Sequence, residues 1–72
     1  MTGQELRAWR EGARLSQVEL GRLLGVHAQQ IYKWESGKAG IVHPDIMRRA
    51  LRDVARELAE DLAVLQERER AS

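Results

Sequence analysis

Between His27 and Ser36 the chain carries side chains suited to reading a polar surface rather than to breaking a bond. With Ile31 and Trp34 turned inward, a helical step of roughly 100° per residue brings Gln29, Tyr32, Lys33 and Ser36 to the opposite side. A glutamine amide can bond adenine in a bidentate way, and a lysine ammonium can donate to N7 and O6 of guanine. Tyr32 offers a hydroxyl to a phosphate and a ring to a thymine methyl. An ordinary solvated helix face would mix in Glu or Asp, and this one has no acid on it. Ala28 and Gln30 lie on the flanks. The expected base-reading set is therefore Ala28, Gln29, Tyr32 and Lys33, with Gln30 and Ser36 placed toward the phosphates.

A second group has the chemistry to hold anions. Ser16 and Gln17 sit where a helix should begin, and there the free N–H groups and the helix dipole favour a negative charge. Lys38 and the backbone around Gly40 can lie along a sugar-phosphate chain and donate to its oxygens. Other chemistries have less support. His27 and His43 have no Cys, Asp or second His at ligand spacing, so both are read as cap or backbone contacts and no metal or cofactor is expected. Nor is there a nucleophile with a partnering base, or a phosphate-cradling loop, so the chain is not read as an enzyme.

The stretch Ser16–Lys38 must position these groups. Leu20, Gly21 and Leu24 share one face at helical spacing, as do Ile31 and Trp34 after a break. Gly25 separates them, where a residue with positive φ ends one helix and redirects the chain. Ser16 with Glu19 three residues on makes a capping-box pair, and Ser36-Gly37 gives a second glycine stop. Two short helices meeting through a glycine turn form a helix-turn-helix. Upstream, residues 3 to 12 predict a first helix with Leu6 and Trp9 inward, and Ala13 and Leu15 completing the packing.

The motifs Ser16-Gln17, Glu19-Leu20-Gly21, Leu24-Gly25-Val26, Ile31, Trp34-Glu35 and Gly37-Lys38, in register, resemble the Cro/repressor-type (XRE-like) helix-turn-helix DNA-binding family. The likeness covers roughly residues 5 to 40. It implies an all-α fold in which residues 27–36 form the recognition helix. It implies that Arg10 pairs with Glu35, and that Gly21 is small because the third helix's backbone passes close by. Val18 and Leu23 depart from the family's usual polar residues and are expected to be partly exposed, or to meet the C-terminal helix or a second subunit.

From Pro44 on, the composition is almost wholly Ala, Leu, Arg, Glu and Asp, with no further Gly or Pro. Pro44 suits a first helical position, and Asp45 suits the positive helix end. Where the family usually has two short helices, this segment predicts one, from about 44 to 68. Met47, Ala50, Leu51, Val54, Ala55 and Leu58 would cover the body. Leu58, Leu62 and Leu65 would continue beyond it as a dimer interface at heptad spacing, widened by Ala59, Ala63 and Val64. Charge pairs such as Arg49–Asp53 and Arg56–Glu60 are expected on its solvated faces.

At 72 residues the chain is one domain at most, with a helix-turn-helix part at 1–43 and a core-covering, dimerising helix at 44–72. It has no cysteine, which suits a reducing cytosol, and it shows neither a membrane-length apolar run nor a signal peptide. The net charge is +1, but residues 1–44 hold six cations against four acids and residues 45–72 six against seven. The basic excess thus falls on the reading half, and it is mild enough that shape and hydrogen bonding must supplement charge attraction. The expected partners are double-stranded DNA and a second copy of the chain, with no membrane. The function expected is that of a small homodimeric regulator, a repressor on an inverted-repeat operator. The alternative is an antitoxin-like protein-interaction module whose C-terminal helix docks a toxin or another regulatory protein.

Overall fold

A computed structural model describes residues 1–71. Ser72, the last residue of the segment expected at 44–72, lies outside the described residues. Four helices follow one another: α1 (Gly3–Gly12), α2 (Gln17–Leu24), α3 (Ala28–Ser36) and α4 (Pro44–Ala71). The all-α, helix-turn-helix architecture with a long C-terminal helix is the one the sequence predicts.

Local chemistry sets each boundary. Ser16 caps α2 by accepting from the N–H of Glu19 at 3.0 Å while the Glu19 carboxylate accepts from the Ser16 N–H, also at 3.0 Å. The same reciprocal box opens α1 between Thr2 and Glu5, a pair the sequence reading passed over. Gly25 and Gly37 end α2 and α3 at φ of 78° and 80°, left-handed values that favour glycine. Arg14, at φ 59°, does the same work after α1 without being a glycine. That bend turns the chain so that the Leu15 N–H reaches the carbonyl of Arg10 at 3.1 Å. Nothing in the side-chain pattern marks it.

Leu6, Leu20, Ile31, Met47 and Leu51 form the buried core, one or two from each helix, and Trp9, Leu15, Leu24, Val26, Trp34 and Ile41 pack around them. Two glycines permit the closest approaches. A Cβ on Gly21 would lie 2.5 Å from the carbonyl oxygen of Val26 and 3.3 Å from the amide nitrogen of Ala28, so the crowding comes from the turn and the very start of α3. A Cβ on Gly3 would collide with the carbonyl oxygen of Trp34. The positive end of α1 is thereby seated on the negative end of α3, a favourable dipole arrangement missed in the sequence.

The long helix departs from expectation in four details. It runs to Ala71 rather than to about 68, because nothing after Pro44 interrupts it. Its fully buried stripe ends at Val54: Ala55, expected to cover the body, is exposed. Leu58, expected both to close that stripe and to open the projecting interface, is half-buried and lines a groove with Trp9 and Ala13 of the body. Its exposed ion pairs include Asp45–Arg48 at 3.0 Å and Asp53–Arg56 at 2.8 Å, three residues apart, whereas Arg49–Asp53 and Arg56–Glu60 were expected. Asp53 can accept from Arg56 one turn on, so the rotamer of Arg56 points back along the helix. The molecule measures 48 × 21 × 19 Å, and the long dimension reflects α4 projecting past the three-helix body.

Candidate nucleic-acid interface

The outward face of α3 forms as its periodicity requires. Ile31 is fully buried and Trp34 half-buried, while Gln29, Tyr32, Lys33 and Ser36 are exposed on the other side. Ala28 and Gln30 are half-buried flanks. α3 carries no acid in its first turn, in contrast to Glu5 in α1 and Glu19 in α2. His27 takes the N-cap position of α3, but its side chain makes no capping hydrogen bond; only its backbone serves, its carbonyl accepting from Gln30 at 2.9 Å. His43 acts the same way at the start of α4, its carbonyl accepting from Met47 at 3.0 Å.

Besides the shared core, an ionic cluster ties α3 to α1 and α2. Arg10 donates from Nε to Glu35 Oε2 at 2.7 Å and from Nη2 to Glu35 Oε1 at 2.9 Å, a bidentate pair. Its remaining Nη1 donates to the carbonyl of Leu15 at 3.0 Å, which also ties down the bend after α1. Glu35 accepts a third bond, from the Gln17 amide at 3.3 Å. The pair's side chains keep 12% and 5% of their surface exposed, so solvent screens it little. Burial pushes the Glu35 carboxyl upward, but the hydrogen bonds from Arg10 and Gln17 and the neighbouring positive charges outweigh it, and the net pKa lies below the ordinary glutamate value. The Arg10 guanidinium is held more basic than usual, chiefly by its bond to Glu35.

The expected phosphate-holding residues fall around this cluster. Ser16 is exposed at the α2 N-cap, with its hydroxyl already accepting from Glu19. Gln17 is half-buried and partly committed to Glu35, a role the sequence did not reveal because its partner is eighteen residues away. The Ser36 hydroxyl donates to the Lys33 carbonyl at 3.3 Å. Lys38 places its ammonium 5.1 Å from the centre of the Tyr32 ring, a cation–π contact that joins the loop to the reading face. Gly40 is exposed in that loop. Among the described residues no group of three or more His, Cys, Asp or Glu side chains converges on a point where a metal ion could sit. Among the described residues no helix is long and apolar enough to cross a membrane.

A helix-turn-helix domain family model matches residues 3–71. The chain belongs to this helix-turn-helix family. Its members are XRE-like DNA-binding domains, a family that is generally non-enzymatic, and the match takes in α4 as well as the reading unit. No curated protein and no solved structure gives a significant match.

The remaining expected site residues lie on the far half of α4. Leu62 and Leu65 are each more than half exposed and Val64 nearly so, whereas Leu58 sits partly in the groove against α1. This helix-turn-helix domain has a second apolar surface that sequence spacing did not single out. Val42 and Ile46 stand largely exposed beside a hollow of about 270 Å³ between the C-terminal end of α2 and the start of α4. The run Ile41-Val42 was the available signal, but the expectation for this loop concerned only phosphate contacts at Lys38 and Gly40.

Proposed function

We propose that this protein binds double-stranded DNA in a sequence-specific manner as a small homodimeric transcriptional regulator, a repressor acting on an inverted repeat. The observation that carries the reading is the exposed face of α3: Gln29, Tyr32, Lys33 and Ser36 side by side, free of acids, on a helix braced from behind by Arg10–Glu35. In this reading α3 enters the major groove and the start of α2 abuts a phosphate. Ala28, Gln29, Tyr32 and Lys33 meet base edges. Ser16, Gln17, Gln30, Ser36, Lys38 and the Gly40 backbone hold the sugar-phosphate chain.

Dimerisation through Leu58, Leu62 and Leu65 supplies the two-fold symmetry that an inverted repeat requires. Leu62 and Leu65 support it, since fully burying a leucine side chain is worth about 1.5–3 kcal/mol and roughly half of each still lies in solvent. The same exposure supports a second reading, in which this end of α4 docks a toxin or another regulatory protein.

Footprinting on the DNA flanking the protein's own gene locates the operator. On it, Gln29→Ala or Lys33→Ala is expected to cost about 1–3 kcal/mol, with a smaller loss on scrambled duplex. Equal losses on both would reduce these side chains to positioning contacts. Sedimentation of the wild type and Leu62→Glu at micromolar concentration separates the assemblies: a wild-type dimer that the substitution dissociates fits the homodimer, and a wild-type monomer points to a different partner.

A further inference from the structure

A polar hollow of about 250 Å³ opens between the middle of α1, the start of α2 and the C-terminal half of α3, lined by Arg7, Arg10, Gln17, Tyr32, Glu35 and Ser36. Tyr32 and Ser36 belong to the exposed reading face, so the hollow lies on the same side of the molecule as that face. Within it, Arg10 and Glu35 close upon each other. Both carboxylate oxygens accept, and the guanidinium donates from all three nitrogens. One cation is left over.

That cation is Arg7. Its Nε donates to Glu11 at 2.8 Å, one turn further along α1, in a pair whose side chains are 65% and 55% exposed. No other hydrogen bond of Arg7 is formed among the described residues, so its two terminal nitrogens remain available. Its charge also reaches into the hollow, where it helps to hold the Glu35 carboxyl acidic. An exposed pair four residues apart on a helix contributes little, because water and salt screen it. An arginine bonded to a phosphate is charge-assisted and can be bidentate. Exchanging Glu11 for a phosphate is therefore downhill for Arg7. The anion would not face an open carboxylate, because Glu35 is already neutralised by Arg10.

We propose that this hollow seats a backbone phosphate of the bound duplex, that Arg7 supplies its cation, and that Glu11 draws Arg7 aside in the free protein. The proposal rests on the DNA-binding reading and adds to it a contact from α1. The Gln17 amide keeps one N–H beyond its bond to Glu35, and the Tyr32 hydroxyl stands at the rim; both can complete the seat.

The test is fluorescence anisotropy on a mixed-sequence duplex over a series of salt concentrations, with wild type, Arg7→Gln, Glu11→Gln and the double variant. Arg7→Gln is expected to weaken binding several-fold and to make the slope of log affinity against log salt shallower by about 0.9, the value of one phosphate. Glu11→Gln is expected to tighten binding, and that gain should vanish when Arg7 is also replaced. Both residues are exposed, so melting temperatures should stay close to wild type and a folding defect can be recognised. An unchanged affinity and slope in Arg7→Gln overturns the seat while leaving the DNA-binding reading intact. An equal gain from Glu11→Gln with and without Arg7 overturns it too, since that is the effect of net charge alone. A wild type that binds no duplex at any salt sinks the DNA-binding reading itself, and the seat with it.

Discussion

The three-helix body and the far half of α4 are both helical, yet they are stabilised in opposite ways. In the body, every helix presses at least one side chain into a shared core, and an ion pair shielded from solvent ties α1 to the end of α3. Beyond Val54, α4 has no buried residue, and the Asp53–Arg56 ion pair beside that point is exposed. A helix of this composition can form on local propensity, but its apolar side chains gain little from the rest of the chain. The body therefore holds a geometry, and the extension offers a surface. In the proposed function, precise placement of side chains against bases needs the former, and association needs the latter.

Substitutions should separate the two regions by size of effect. The largest is expected at the core: Leu20→Ala removes a fully buried side chain between α2 and the other helices and should cost about 2–5 kcal/mol in chemical denaturation. A loss under 1 kcal/mol would mean that the body is loosely packed and that its contrast with α4 is small.

The shielded ion pair comes next. Arg10→Ala leaves Glu35 with only Gln17 as donor, and about 3 kcal/mol of destabilisation is expected. Glu35→Ala should be comparable, and the double variant should lose less than the sum of the two. Simple additivity in that cycle would show that the pair does not couple the helices.

The same pair sets a pH dependence. The folded pKa of Glu35 is depressed, so its contribution is fully present above the unfolded value of about 4.3 and is lost as pH falls through the lower folded value. Glu5 and Glu19, held acidic mainly by the backbone and side-chain hydrogen bonds of their capping boxes, act in the same direction. Thermal midpoints should therefore drop below about pH 4, and the drop should be shallower in an Arg10→Ala, Glu35→Ala background. An equally steep drop there would move the effect to other carboxylates.

A smaller loss, about 1 kcal/mol, is expected from Ser16→Ala, which removes the α2 cap. The smallest belongs to the extension: Arg56→Ala should stay within about 0.5 kcal/mol, because its partner Asp53 is as exposed as it is. A larger loss there would show that α4 takes part in the fold well beyond Val54.

The sequence by itself was enough for many features that depend on neighbours a few residues apart, though not for the left-handed turn at Arg14 or the choice of ion-pair partners along α4. Helix periodicity, the Ser16–Glu19 box, the left-handed glycines at 25 and 37, and the exposed set Gln29, Tyr32, Lys33 and Ser36 all follow from local spacing. The Arg10–Glu35 pair was legible for a different reason: the family resemblance implied it, and spacing alone could not. Tertiary structure decided what depends on the meeting of distant segments. Gln17 completes the Glu35 cluster only because the start of α2 comes to rest beside the end of α3. Gly3 must lack a Cβ only because the carbonyls of Trp34 and Glu35 arrive against it. Leu58 is half-covered because α1 flanks that part of α4, whereas Leu62 and Leu65 carry the same pattern past the end of the body and stay exposed. A helical repeat specifies which side chains share a face; how much of that face is covered depends on where the neighbouring helices stop.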